Sequence, residues 1–241
     1  GSNVVQPVVN VQAGGLAVGS ISTPEVRSPH SILQVVELDL SNPYPEVLLS
    51  TFTGGVHCCS DTRVLTSDSS GKNWIEVSLG VFDGVPVPAT DPIKGGEYVI
   101  VSDDNRFIGK FGSYADSWRP ARIWRLQGNA FIDVTHKPEY LPIHRASLDR
   151  MASWFSRSHV DYPNGFLAAY VANKSLVGEL FDGWDRMLLR YDSTDLSSLS
   201  KCQAGYDDKG NCKAKEIVYD SYPQALRAFL VETGYLTESG R

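Results

Sequence analysis

No stretch of this 241-residue chain approaches the roughly 20 consecutive apolar residues that a membrane-spanning helix needs, so no span is expected. Basic residues are in short supply: 22 Lys and Arg stand against 28 Asp and Glu, a formal charge of −6. A general nucleic-acid binder carries a basic footprint, and a surface-bound polybasic protein does too, so both classes are excluded. The common catalytic signatures are missing as well. There is no Gly-x-Ser-x-Gly, no His-Glu-x-x-His, no P-loop and no Gly-x-Gly-x-x-Gly. What is present is ordinary globular composition, with 42% hydrophobic and 21% charged residues, enough for one large domain or two small ones.

Three regions differ in pattern. Residues 1–30 begin with Gly1-Ser2, which reads as a cloning scar. The rest of that region is rich in Val, Gly, Ser and Pro and is expected to form an extended arm. Residues 31–140 carry short β-rich runs punctuated by turn residues. Leu33–Leu40 and Glu46–Phe52 flank Ser41-Asn42-Pro43-Tyr44-Pro45. Ile75, Val77, Leu79 and Val81 alternate with Trp74, Glu76, Ser78 and Gly80, the period of a half-buried strand. Glu97–Ser102 and Arg106–Phe111 flank Asp103-Asp104-Asn105, and Ala121–Leu126 and Ala130–Val134 flank Gln127-Gly128-Asn129. In residues 141–241 the period becomes 3.6. Four helical stripes follow, around Leu148/Met151/Phe155, Leu167/Tyr170/Val171, Leu180/Trp184/Met187/Leu188 and Leu226/Phe229/Leu230. Pro163 and Pro223 stand at helix starts, and Gly234 stands where a C-terminal cap belongs. The pattern predicts an α+β fold: an antiparallel β-rich N-terminal part, a partial propeller or a sandwich, packed against about four C-terminal helices.

The four cysteines bear on compartment. Cys202 and Cys212 bracket a polar loop that a disulfide closes easily. That pairing, with no initiator Met and no signal peptide in view, points to a mature protein of a bacterial periplasm or secreted space. Cys58 and Cys59 are then left to each other.

Val36–Leu40, a polar turn and Pro45–Leu49 resemble the FG-GAP/VCBS repeats of integrin-type β-propellers. Thr53–Cys59, with its Gly-Gly-x-His-Cys-Cys order, resembles uncharacterised exported bacterial proteins of this kind. So do Asp104–Phe107, Ser113–Ala115, Arg119–Ile123, Phe131–Thr135 and Asn164–Ala168. The resemblance covers most of the chain from Gln34 onward and implies a fold and an extracytoplasmic compartment, with no activity attached. Such repeats often hold calcium in the turn. Here Asp39 and Ser41 fit the ligand positions but Pro43 occupies a third, so a plain turn is expected, with calcium near Asp39 the weaker alternative and no other cofactor.

His57-Cys58-Cys59 is the most unusual local feature. Consecutive side chains diverge, which disfavours a zinc tetrahedron or a Cys–His nucleophile built from the tripeptide alone. A loop shaped by a Cys58–Cys59 bond after Gly54-Gly55 is the favoured reading. Asp103, Asp104 and Arg106 form a second candidate surface, although Asp and Asn are ordinary turn residues. Trp118 and Arg122 mix aromatic and cationic character suited to carbohydrate or anions, although a strand with Trp124 buried and the arginines at its rim is the favoured reading. The expectation is therefore a non-catalytic exported protein that binds a protein or carbohydrate ligand. The alternative is a hydrolase of envelope polymers or carbohydrate using unidentified carboxylates.

Overall fold

The computed structural model of the chain describes residues 4–27, 30–55, 58–157, 163–195, 199–205, 207 and 211–238; for 155–157 only the backbone is considered. The fold is α+β, as the change of period predicts. Twelve strands lie along the described chain: β1 (Val8–Ala13), β2 (Leu16–Ser22), β3 (Ser31–Val36), β4 (Glu46–Phe52), β5 (Ser60–Ser67), β6 (Trp74–Phe82), β7 (Val87–Thr90), β8 (Tyr98–Asp103), β9 (Ala121–Gln127), β10 (Ala130–Asp133), β11 (Ser200–Cys202) and β12 (Glu216–Val218). The helices are α1 (Leu141–Arg157), α2 (Asn164–Leu176), α3 (Leu180–Leu188) and α4 (Tyr222–Glu232).

The chain divides into two units. The first holds residues 1–105 and 121–140; the second holds 106–120 and 141–241. In the β unit, β3–β6 form one four-stranded antiparallel meander and β7–β10 another, in sequence order within each sheet. Val36, Leu38, Leu48, Val64, Leu79 and Phe82 from the first and Ile100 and Leu126 from the second make one shared core. Each such buried aliphatic or aromatic side chain contributes roughly 1.5–3 kcal/mol. The opposite face of the first sheet is covered too: Ile21 of β2 joins Val47, Leu49 and Leu65, with Val9, Val11 and Trp74 packed against them. Residues 1–30 therefore contain a β1–β2 hairpin where an extended arm was expected. Gly14-Gly15 is its turn, with both glycines at positive φ, so the pair makes the strand reversal.

Strand β3 ends at Val36, short of the expected Leu40, because Glu46 reaches back. Its carboxylate accepts from Leu38 N–H at 2.7 Å, from Asn42 Nδ2 at 2.7 Å and from the Thr66 hydroxyl at 2.9 Å. The expected strand over Arg106–Phe111 does not exist. Asn105–Phe107 is a 3-10 turn, and β8 pairs instead with β9, Ser102 opposite Arg122.

The helical unit explains why. Phe107 and Phe111 are each 1% exposed and lie in its core with Leu167, Val171, Met187, Leu226 and Leu230. Phe107 meets Phe229 edge-on at 4.9 Å; Phe111 meets Tyr222 at 5.3 Å and Phe229 at 5.4 Å. A Cβ on Gly165 would stand 2.5 Å from the Asp116 carbonyl oxygen, so the 106–120 segment and the first turn of α2 touch backbone to backbone. Pro163 is the N-cap of α2 and Pro223 the second residue of α4, each one place from its expected position. Leu188, assigned to the third stripe, is exposed, whereas Met187 beside it is fully buried.

Candidate functional site

The antiparallel order of β3 to β6 brings four strand ends to one edge of the sheet: the start of β3, the end of β4, the start of β5 and the end of β6. Ser31 lies opposite Thr51, and Ser60 lies opposite both Phe52 and Phe82. Between these ends lies an open cleft of about 570 Å³. Ser31 and Ile32 line it from β3, Ser50 and Phe52 from β4, Ser60 from β5, and Asp83, Gly84 and Val85 from the turn after β6. His30, Cys58 and Cys59 complete the described lining.

The β4–β5 loop is built to hold the cysteines there. Thr53 N–H donates to the Cys59 carbonyl at 2.8 Å, and Cys59 N–H donates to Thr53 Oγ1 at 3.1 Å. Gly54 has φ +85°, open to glycine at no steric cost. A Cβ on Gly55 would fall 2.0 Å from the Cys58 carbonyl oxygen, so the loop closes only with glycine there. Cys58 and Cys59 are bonded to each other. A disulfide sulfur is neither a thiolate nucleophile nor a thiolate metal ligand. His57 lies outside the described residues.

The other predicted residues are distributed differently. Asp103 ends β8 and Asp104 is fully buried; neither lines the cleft. Their turn still reaches it through Asn105, whose Oδ1 accepts from Asp83 N–H at 3.1 Å while its Nδ2 donates to Val81 O at 3.3 Å. Arg106 belongs to the helical unit, where Nη1 donates at 3.1 Å to the carbonyl of Thr233, the C-cap residue of α4. Trp118 belongs to that unit as well, against Trp154 at 4.8 Å and Phe166 at 5.4 Å. Arg122 stays in the β unit, its guanidinium 4.4 Å above the Trp124 ring and paired with Asp133. Burial pushes the Asp133 carboxyl up, but hydrogen bonds from Arg122 and Thr135 outweigh it and hold the group below its ordinary value.

Asp39 is buried, with Oδ1 accepting from Ser41 N–H at 3.0 Å and Oδ2 from Gly128 N–H at 3.3 Å. Both oxygens thus serve as backbone acceptors. No group of three or more His, Cys, Asp or Glu converges among the described residues. His30, Phe52 and Asp83 were not predicted as site residues. Asp83-Gly84 had a turn signal, but only the sheet register places it beside Cys58.

Residues 144–234 match the sll0997 C-terminal domain family. Over 232 residues the chain is 44% identical to the probable thylakoid lumen protein sll0997 of Synechocystis sp., covering 95% of this chain and 68% of that protein. The chain belongs to the sll0997 family. It is also 29% identical over 233 residues to the uncharacterized protein y4bJ of Sinorhizobium fredii, covering 95% of this chain and 35% of that one. No solved structure matches the chain. The sll0997 C-terminal domain match runs from α1 to the end of α4, and so omits the 106–120 segment that fills the same core.

Proposed function

We propose that the chain is a non-catalytic, extracytoplasmic binding protein whose β unit takes a carbohydrate or protein segment in the cleft at Cys58–Cys59. The observation that carries this reading is the convergence of four strand ends on a vicinal disulfide held in an open cleft. Polarisable sulfur and the Phe52 ring supply apolar contact, while Ser31, Ser60, His30 and Asp83 supply polar groups, the mixture that small-ligand sites use. Glycosidic hydrolysis ordinarily needs two carboxylates. The described lining contains one, Asp83, which favours binding over hydrolysis. Two disulfides favour an oxidising compartment, and the lumenal designation of the Synechocystis relative supports the same assignment. No helix of the described residues is long and apolar enough to cross a membrane. Two consecutive four-stranded meanders also support a propeller-type repeat, since that is how propeller blades are built.

The test is retention on immobilised cell-envelope glycan, comparing wild type with a Cys58→Ser/Cys59→Ser variant whose fold is checked by circular dichroism. Wild type is expected to be retained and the variant to elute early. Equal elution would refute the cleft as the site. Steady release of reducing sugar would establish the hydrolase reading instead. Stoichiometric zinc in protein purified without added metal would return the loop to metal chemistry.

A further inference from the structure

The helical unit contains a second hollow, of about 360 Å³. Its described walls are Ala152 of α1; Phe166, Leu167 and Tyr170 of α2; and Arg186, Leu189 and Arg190 at and beyond the end of α3. The helices cross tightly before it. A Cβ on Gly183 would stand 2.7 Å from Lys174 Cβ, so α3 sits directly on α2 there, and the described lining that α3 and the residues after it supply comes from Arg186, Leu189 and Arg190. At that end Leu189 is 80% exposed, an apolar side chain at the mouth of an apolar hollow.

The charge of its described lining is of one sign. The ionisable groups in the described lining are two guanidinium groups and one phenol, with no carboxylate, on a chain whose net charge is −6. A smaller adjoining hollow of about 290 Å³ shares Ala152, Tyr170 and Arg186, and adds Arg145, Leu148, Asp149, Lys174 and Glu179, so the carboxylates stand on that side. Lys174 and Arg186 are held in place by carboxylates that do not line the first hollow. Lys174 Nζ lies 2.6 Å from Glu179 and 2.7 Å from Asp182, and Arg186 Nε donates to Asp182 at 3.1 Å. Burial pushes the Lys174 ammonium down, but these carboxylates carry it above its ordinary value, so it stays charged at neutral pH.

We propose that this hollow binds a long-chain carboxylate as a single molecule, its chain against Phe166, Leu167 and Leu189 and its headgroup at Arg186 and Arg190. Apolar walls reward the chain in proportion to the area they cover. A guanidinium fork matches a carboxylate in geometry and charge, which selects an anionic head over a neutral or cationic one. The volume lies at the small end of ligand sites, fitting one chain rather than a two-chain lipid.

The probe is dodecanoate below its micelle concentration, titrated by calorimetry into the full chain, with dodecyltrimethylammonium as the same chain carrying the opposite charge. Saturable one-to-one binding of dodecanoate is expected, at least tenfold tighter than that of the cation. Ala152→Phe fills the hollow from an exposed position and is expected to weaken dodecanoate at least tenfold. Arg186→Gln/Arg190→Gln is expected to remove the preference for the anion while leaving thermal melting close to wild type. Absence of saturable binding, equal affinity for the two amphiphiles, or wild-type affinity in Ala152→Phe would each overturn the proposal. Binding to anionic vesicles without binding of monomeric dodecanoate would overturn it as well.

Discussion

A fragment of residues 141–241 contains α1 to α4, yet it is expected not to fold cooperatively. The reason lies in residues 106–120, which enter the same core from earlier in the chain. Phe107 and Phe111 are each 1% exposed, and Trp118 packs against the same cluster. Removing one buried Phe costs about 3–5 kcal/mol, and each edge-on ring contact contributes roughly 0.5–1.5 kcal/mol beyond its area. Domains of this size are stable by only about 5–15 kcal/mol. Loss of Phe107 and Phe111 together therefore consumes most or all of the stability of the helical unit. The assay is thermal and urea unfolding of the 141–241 fragment by circular dichroism, beside the full chain carrying Phe111→Ala. The fragment is expected to show a broad transition, and Phe111→Ala to lose about 3–5 kcal/mol. A sharp transition in the fragment, or an unchanged midpoint in Phe111→Ala, would refute the assignment of 106–120 to this core.

The remaining predictions bear on single contacts. Gly165→Ala in α2 normally gains about 1 kcal/mol of helix propensity, but here the new Cβ meets the Asp116 carbonyl and a loss of about 1–3 kcal/mol is expected; a gain in urea midpoint would disprove the backbone contact. Burial, seconded by the charge of Asp91, pushes Tyr140 up to about 12, whereas an unfolded tyrosine titrates near 10. The unfolded chain therefore loses this proton first, so the contribution is intact below about pH 10 and is lost as pH rises towards about 12. Tyr140→Phe is expected to flatten the fall in urea midpoint over that range, and an unchanged slope would count against it. The Cys202–Cys212 bond closes the loop between β11 and β12 and is expected to contribute up to about 3 kcal/mol. Replacing both cysteines by Ser should speed amide exchange in Ser200–Cys202, and unchanged exchange would show that the strand pair stands without the bond.

The sequence by itself determined that strands come first and helices after, because alternation in Trp74–Phe82 and the 3.6-residue stripes of Leu167/Val171 and Leu226/Phe229/Leu230 are local patterns with one burial solution each. It also determined that Cys202 and Cys212 pair, since a ten-residue separation across a polar turn brings them within reach. Strand β5 was invisible to that reasoning. Ser60, Asp61, Thr62, Thr66 and Ser67 carry no apolar alternation, yet all are buried in a central strand, because β4 supplies partners: Ser50 for Thr62 at 2.9 Å and Glu46 for Thr66. Polar residues can fill a sheet interior only when hydrogen-bonded, and those partners are set by register. Arg106–Phe111 shows the opposite failure. The run was taken for a strand on its β-rich composition after a turn, and only the packing of Phe107 and Phe111 against Phe229 and Tyr222 decides which core receives them. The cleft follows the same logic. Gly54-Gly55 and Cys58-Cys59 stand out in the sequence, whereas His30 and Asp83 join them because antiparallel pairing brings distant strand ends to one edge.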